Sequence, residues 1–334
     1  MSAVSFINNH KQLSNSFLEF LNKNEFALKI IEALRNDETL CPLFRKDKID
    51  VYYRGYKCFV LSGNNGGKVV FQSGFDNKFD IYFKAVQYTL SFNSYGELQD
   101  FMMCFHEILA INKQKMDFWF KGKKSPYERE FTQLILRENN SKKFGNETDF
   151  FIVDMEYTYY EKSNGGQKKS SPDLIAFAWS RQKRRYKKHR LAIIEVKYMD
   201  KALTGKAGII SHIDDYVSLL SNKNLLDDIK EDIAVEYKQK VNLSMVQGDK
   251  SSGDIKWSPG QPILILALIG HNTNSSILKT ELGKIEPLLE EKFNDEQKRK
   301  EILDNIFVIN TSEIGFGLYE DKLINIDNYL KLLK

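Results

Sequence analysis

The run LAIIEVKYM at 191–199 is apolar enough to be a buried strand, yet it carries Glu195 and Lys197 two residues apart. Side chains alternate across a strand with period 2, so these two charges point to one face. Burying charge is costly unless the charge is paired or holds a metal. The fold must therefore bring a counter-charge or a cation to that face. In isolation Glu-x-Lys also reads as a salt bridge at a sheet edge, so the surrounding sequence has to decide.

A second apolar segment, SPDLIAFAW at 171–179, predicts a strand over 173–179 that opens on Asp173 just after Pro172. If the two strands pair as a hairpin around 181–190, Asp173 sits beside Glu195 and Lys197. Two carboxylates and a lysine at one point suit a hard cation, Mg2+ or Mn2+. Such a cation polarises a phosphate and acidifies a water. The ammonium orients that water and offsets charge in the transition state.

Around this pair the pattern predicts alternating elements. A helix over 126–138 precedes a strand at 150–160 (FFIVDMEYTYY), and SNGGQKKSS reads as a loop. Helices follow at 208–222 and about 225–242, then the apolar strand PILILALIG at 262–270. A charged helix over 278–303, a strand at 306–310 and a short last helix complete the chain. Three meandering strands, a crossover helix and a parallel strand give a mixed sheet covered by helices.

The first third has a different character. Apolar residues at helical spacing predict a helix over 15–36. Residues 50–92 are aromatic and β-branched runs split by Gly/Asn turns, as in an antiparallel meander. Ser94 with Glu97 forms a capping box for a helix over 95–113 that carries Leu98, Phe101, Met102, Phe105 and Leu109. The basic stretch KGKKSP at 121–126 marks the boundary, giving an α+β domain at 1–122 and a second domain at 123–334. Tyr52, Tyr53, Arg54, Tyr56 and Lys57 read as core before they read as a nucleic-acid surface or a dimer contact.

SPDLIAFAW followed by LAIIEVKYM resembles the bipartite motif of the PD-(D/E)XK nuclease superfamily, which includes restriction endonucleases, Holliday-junction resolvases and RecB-like nuclease domains. The resemblance covers 123–270 and implies a restriction-endonuclease-like αβββαβ core. It implies that Asp173, Glu195 and the carbonyl of Val196 ligate Mg2+ or Mn2+, with Lys197 as the catalytic lysine. The family's additional helix carboxylate falls on Glu128, with Glu130 as the alternative. Ser125–Glu128 also reads simply as a capping box with Pro126 at the first helical position. His212 and Tyr216 stand where RecB-like members carry Gln-x-x-x-Tyr, which implies a nucleic-acid contact; Tyr216 fits and His212 departs, though a histidine there could still touch a phosphate or a base. One turn apart on a helix, they share a face.

The segment RQKRRYKKHR at 181–190 concentrates Arg181, Lys183, Arg184, Arg185, Lys187, Lys188 and Arg190 in a chain whose net charge is only +4. It reads either as a solvated tip or as a contact to backbone phosphates. The function expected is a Mg2+-dependent deoxyribonuclease of a defence, restriction or repair system, with RNA not excluded as substrate. A homodimer and a separate ATPase partner fit the family. GNNGGK at 63–68 falls one residue short of a P-loop and lacks the following Ser/Thr. The rival readings are a silent nucleic-acid-binding module and an assembly protein. Cys41, Cys58 and Cys104 show no metal or disulfide spacing, and the N-terminus shows no apolar signal segment, so a reduced cytoplasm is expected. The longest apolar run, 262–270, is too short to span a membrane.

Overall fold

The computed structural model describes residues 11–63, 69–72, 79, 87–90, 95–121, 127–141, 145–163, 166–183, 188–246, 254–272, 274–311 and 315–333. The chain forms two compact units, one within 10–133 and 235–247, the other within 134–234 and 248–334. The divisions fall inside two helices, α4 (Tyr127–Asn140) and α6 (Lys223–Asn242), rather than at the basic stretch 121–126.

In the first unit, α1 (Asn15–Lys23) and α2 (Glu25–Asn36) replace the single helix expected over 15–36. Asn24 between them is extended, and its side chain accepts from the N–H groups of Phe26 and Ala27. Asparagine is among the best N-caps, so the local bonds favour a restart over continuation. A five-stranded antiparallel sheet follows in simple order: β1 (Leu40–Phe44), β2 (Lys48–Tyr53), β3 (Tyr56–Gly63), β4 (Val69–Gln72) and β5 (Gln87–Leu90). The strand β1 lies before the expected meander and contains Pro42. At a sheet edge the missing N–H of proline costs no ladder bond.

Helix α3 (Tyr95–Lys121) runs eight residues past its expected end at 113, with Met116 and Phe120 continuing the buried face begun by Phe105 and Leu109. Phe17, Leu21, Ile30, Phe44, Ile49, Phe59 and Leu61 complete this core. Tyr52 and Tyr56 are buried, and Lys57 pairs with Asp50. Arg54 lies over the Phe120 ring at 4.2 Å and pairs with Asp117 and Glu130. A Cβ on Gly63 would stand 2.5 Å from the Phe17 ring, so this glycine serves packing. Residues 64–68 of the GNNGGK run, the Ser94 cap, the side chains of Leu98, Phe101 and Met102, and Ser125–Pro126 lie outside the described residues.

The second unit is built on a mixed six-stranded sheet flanked by helices. Its strands are β6 (Phe150–Met155), β9 (Leu174–Ala178), β11 (Leu191–Tyr198), β13 (Ile263–Ile269), β14 (Ile306–Asn310) and β15 (Ile324–Asn325), adjacent in that order. β9 lies between β6 and β11 and runs antiparallel to both, whereas β13 and β14 continue parallel to β11. The helices of this part are the last part of α4, α5 (Ile209–Ser221), the first part of α6, α7 (Ser276–Leu282), α8 (Ile285–Lys292), α9 (Glu296–Leu303) and α10 (Ile326–Leu332). β13 is buried along its whole length, as a continuous apolar run in a covered parallel strand requires.

Two expected elements divide. The strand expected over 150–160 ends at Met155, because Glu156 takes a left-handed φ of 55°. Residues 159–170, in part expected as loop, instead form a separate ribbon of β7 (Tyr159–Ser163) and β8 (Gly166–Ser170). The charged helix over 278–303 becomes α7, α8 and α9. Pro287 in the first turn of α8 cannot extend a preceding helix, and the Asp295 side chain caps α9. Residues Lys188–His189 form a short β10, parallel to β12 (Lys256–Trp257).

Candidate active site

The residue preceding β9 is Asp173, and the antiparallel register pairs its neighbour Leu174 with Ile194 of β11. That register sets Asp173 abreast of Glu195. The N–H of Val196 donates to Asp173 Oδ2 at 2.8 Å. N–H and C=O of one strand residue point to the same side, so the Val196 carbonyl shares this edge. Glu195 and Lys197 are 3% and 2% exposed, although both carry charge. Lys197 Nζ lies 4.0 Å from Asp173 Oδ2 and 3.9 Å from Glu195 Oε2. The three side chains singled out from the sequence thus meet at one point of the sheet.

His212, in the first turn of α5, joins them: its Nδ1 lies 3.1 Å from Glu195 Oε2. Burial pushes the Asp173 carboxyl up to about 7, and the Glu195 charge adds to the rise; Lys197 and the Val196 N–H oppose it. Two carboxylates in one site cannot both ionise freely. Burial also lowers His212 below its ordinary value, and the Lys197 charge lowers it further.

A neighbouring charged group lies outside the sequence expectations. Lys168 of β8 pairs with Asp214 and Asp215 of α5 at 2.8 and 2.6 Å, and Lys292 of α8 also pairs with Asp214. These bonds fasten the ribbon to the helix that carries His212. No local sequence signal marks this pairing, since Lys168 and Asp214 stand 46 residues apart.

Several expected site residues have other work. Tyr216 is buried, and its hydroxyl donates to the Pro262 carbonyl at 2.8 Å. It ties α5 to the residue just before β13. The Arg190 guanidinium donates to the Gln261 carbonyl at 2.9 Å and to Asn305. Arg181 pairs with Asp321 at 3.0 Å and lies over the Tyr319 ring. Both arginines are thus held in the scaffold. Lys188 is exposed on β10. The Lys183 side chain and all of Arg184, Arg185, Tyr186 and Lys187 lie outside the described residues.

Glu128 and Glu130 belong to the first unit, whereas the group around Asp173 is built within the second. Glu130 Oε1 accepts from Arg54 at 2.8 Å, and the Glu128 carbonyl accepts from Thr132. Among the described residues, no cluster of three or more His, Cys, Asp or Glu side chains is arranged to hold a metal ion. No helix among them is long and apolar enough to cross a membrane. A scan against protein-family models and searches of curated proteins and solved structures found no match.

Proposed function

We propose that the second unit is a restriction-endonuclease-like domain of PD-(D/E)XK type that hydrolyses phosphodiester bonds, most simply in DNA. The observation that carries this reading is the convergence of Asp173 and Glu195 on Lys197, at neighbouring positions just ahead of β9 and within β11, on a largely apolar sheet. A strand order with three antiparallel strands followed by parallel ones is compatible with the αβββαβ core.

The donors suit a hard cation. Mg2+ keeps several waters and needs only one or two protein carboxylates, so a three-donor cluster is not required. Asp173 and Glu195 would hold it, with the Val196 carbonyl on the same edge. The raised Asp173 carboxyl supports this fit, because a cation between two crowded carboxylates relieves their repulsion. When bound, the cation supplies Lewis-acid polarisation of the phosphate and acidifies water. Lys197 contributes a fixed ammonium beside both carboxylates, placed to orient the attacking water and to offset developing negative charge. Its burial holds it there with little freedom to move.

A role in defence, restriction or repair accords with this chemistry, as does Mn2+ in place of Mg2+. The test is incubation of the full chain with plasmid, linear and single-stranded DNA and RNA, with Mg2+, Mn2+ or EDTA. Cleavage that needs the cation and disappears in Asp173→Asn is expected. Binding without cleavage under every cation would favour a silent nucleic-acid-binding module.

A further inference from the structure

We infer that His212 is the positioning residue of Glu195, fixing the orientation in which that carboxylate meets a divalent cation. The inference rests on the metal-dependent reading above and adds a part to it. The contacts of Glu195 with Lys197 and His212 both fall on Oε2. Those of Asp173 with Lys197 and the Val196 N–H both fall on Oδ2. Each carboxylate thus has one oxygen set beside a nitrogen of its own and near the shared ammonium, at 2.8 Å from the Val196 nitrogen for Asp173 and 3.1 Å from His212 Nδ1 for Glu195. For Asp173 that nitrogen belongs to the main chain; for Glu195 it is the imidazole. A ligating carboxylate that is itself held by a second group keeps its orientation as the cation binds.

The helix start delivers the ring. Gly208 permits a tight approach there, since a Cβ would stand 2.6 Å from the Thr204 backbone. Lys168 anchors Asp214 and Asp215, two and three residues further along the helix. His212 is 18% exposed and reaches inward to a carboxylate that is 4% exposed. Contact with a phosphate or base, the role expected from sequence, is not required to account for it.

Titration of the full chain with Mn2+ alone, followed by the electron paramagnetic resonance of the free ion, tests this without nucleic acid. His212→Ala is expected to weaken Mn2+ binding about 10- to 100-fold. His212→Asn, whose amide nitrogen stands near the place of Nδ1, should recover most of the loss. His212→Gln, which mimics the other ring nitrogen, should not. The wild-type spin-echo spectrum should show no nitrogen coupling that His212→Ala removes. Wild-type affinity in His212→Ala, equal affinities for Asn and Gln variants, or a nitrogen coupling that vanishes with the ring would each overturn the inference; the last would make His212 a direct ligand. If His212→Ala fails to fold, the Asn and Gln variants carry the comparison. Loss of binding in Asp173→Asn with full binding in His212→Ala would remove this inference and leave the nuclease reading. No Mn2+ binding by the wild type would remove both.

Discussion

The backbone N–H of Val196 donates to Oδ2 of Asp173 across 2.8 Å, fastening the carboxylate just ahead of β9 to the C-terminal half of β11. Glu195, one residue before Val196, presents its own charge beside it. One main-chain bond thus keeps two like charges as neighbours on adjacent strands. Burial and the Glu195 charge together raise Asp173 to about 7. A protein without a cation bears this repulsion, and any ion that binds only the folded state relieves it.

Asp173→Asn separates the charge from the bond. The amide oxygen can still accept from Val196, but the repulsion is gone. At pH 8 in EDTA the variant should be more stable than the wild type by about 0.5–2 kcal/mol, while cleavage is lost, as in other trades of function for stability. Urea denaturation measures the difference. A variant less stable than the wild type at pH 8 would refute the like-charge account.

The same group sets a pH dependence whose sign reverses the usual carboxylate case. The folded-state pKa of Asp173 lies above its ordinary value of 3.8, so the folded protein binds the proton more tightly. Its contribution is most favourable below about pH 4 and is lost as pH rises through about 7. His212, lowered on folding, acts oppositely: it disfavours the fold at low pH, and that penalty fades as pH rises. The wild-type slope mixes the two. The excess stability of Asp173→Asn over the wild type should therefore widen from about pH 4 to about pH 7 and then level off. Mg2+ affinity, read by calorimetry, should climb over the same window because cation and proton compete. A gap that stays constant with pH would remove Asp173 as its source.

Lys197 is buried between the two carboxylates it neutralises. A catalytic lysine open to solvent could be removed without harm to the fold. Burial changes that expectation, because removing one partner of a buried ion group leaves uncompensated charge, at a cost of about 3–5 kcal/mol. Lys197→Ala should lose cleavage and, in EDTA, melt at a lower temperature than the wild type. Mg2+ should restore much of the melting temperature without restoring cleavage, since it replaces the charge but not the ammonium. Calorimetric melts with and without Mg2+ measure this. Full activity in the variant would take Lys197 out of the mechanism.

Strand content and the meeting of Asp173, Glu195 and Lys197 were legible because period-2 alternation and apolar runs are local signals. β13 and β14 were legible for the same reason. Helix breaks were harder: Asn24 and Pro287 lie inside continuous amphipathic patterns, and only the competition between a cap and an extra turn decides them. β1 was hidden by Pro42, which is tolerable only on an edge, and an edge is a property of the sheet. His212 and Tyr216 share a helix face, yet one reaches Glu195 and the other the Pro262 carbonyl. Periodicity fixes the face but not what the fold sets against it. Arg190 reads as part of a basic run because charge is visible in sequence and its acceptors, 71 and 115 residues away, are not.

The residues expected to bind nucleic acid divide into two groups that mutagenesis should separate. Arg190 and Tyr216 hold loop carbonyls within the second unit. Tyr216→Phe should cost about 1 kcal/mol, the worth of one buried hydrogen bond, and Arg190→Gln somewhat more, because a charged donor is removed. Neither should alter the salt dependence of nucleic-acid binding. Replacing Lys183, Arg184, Arg185, Lys187 and Lys188 together by glutamine should leave stability unchanged and weaken binding. The slope of log affinity against log salt should fall by roughly 0.9 for each duplex phosphate that is no longer neutralised. Fluorescence anisotropy across a salt series, beside thermal melts, reads both quantities. An unchanged slope in the five-residue variant would make the segment solvated surface, and a changed slope in Tyr216→Phe would return that residue to the binding face.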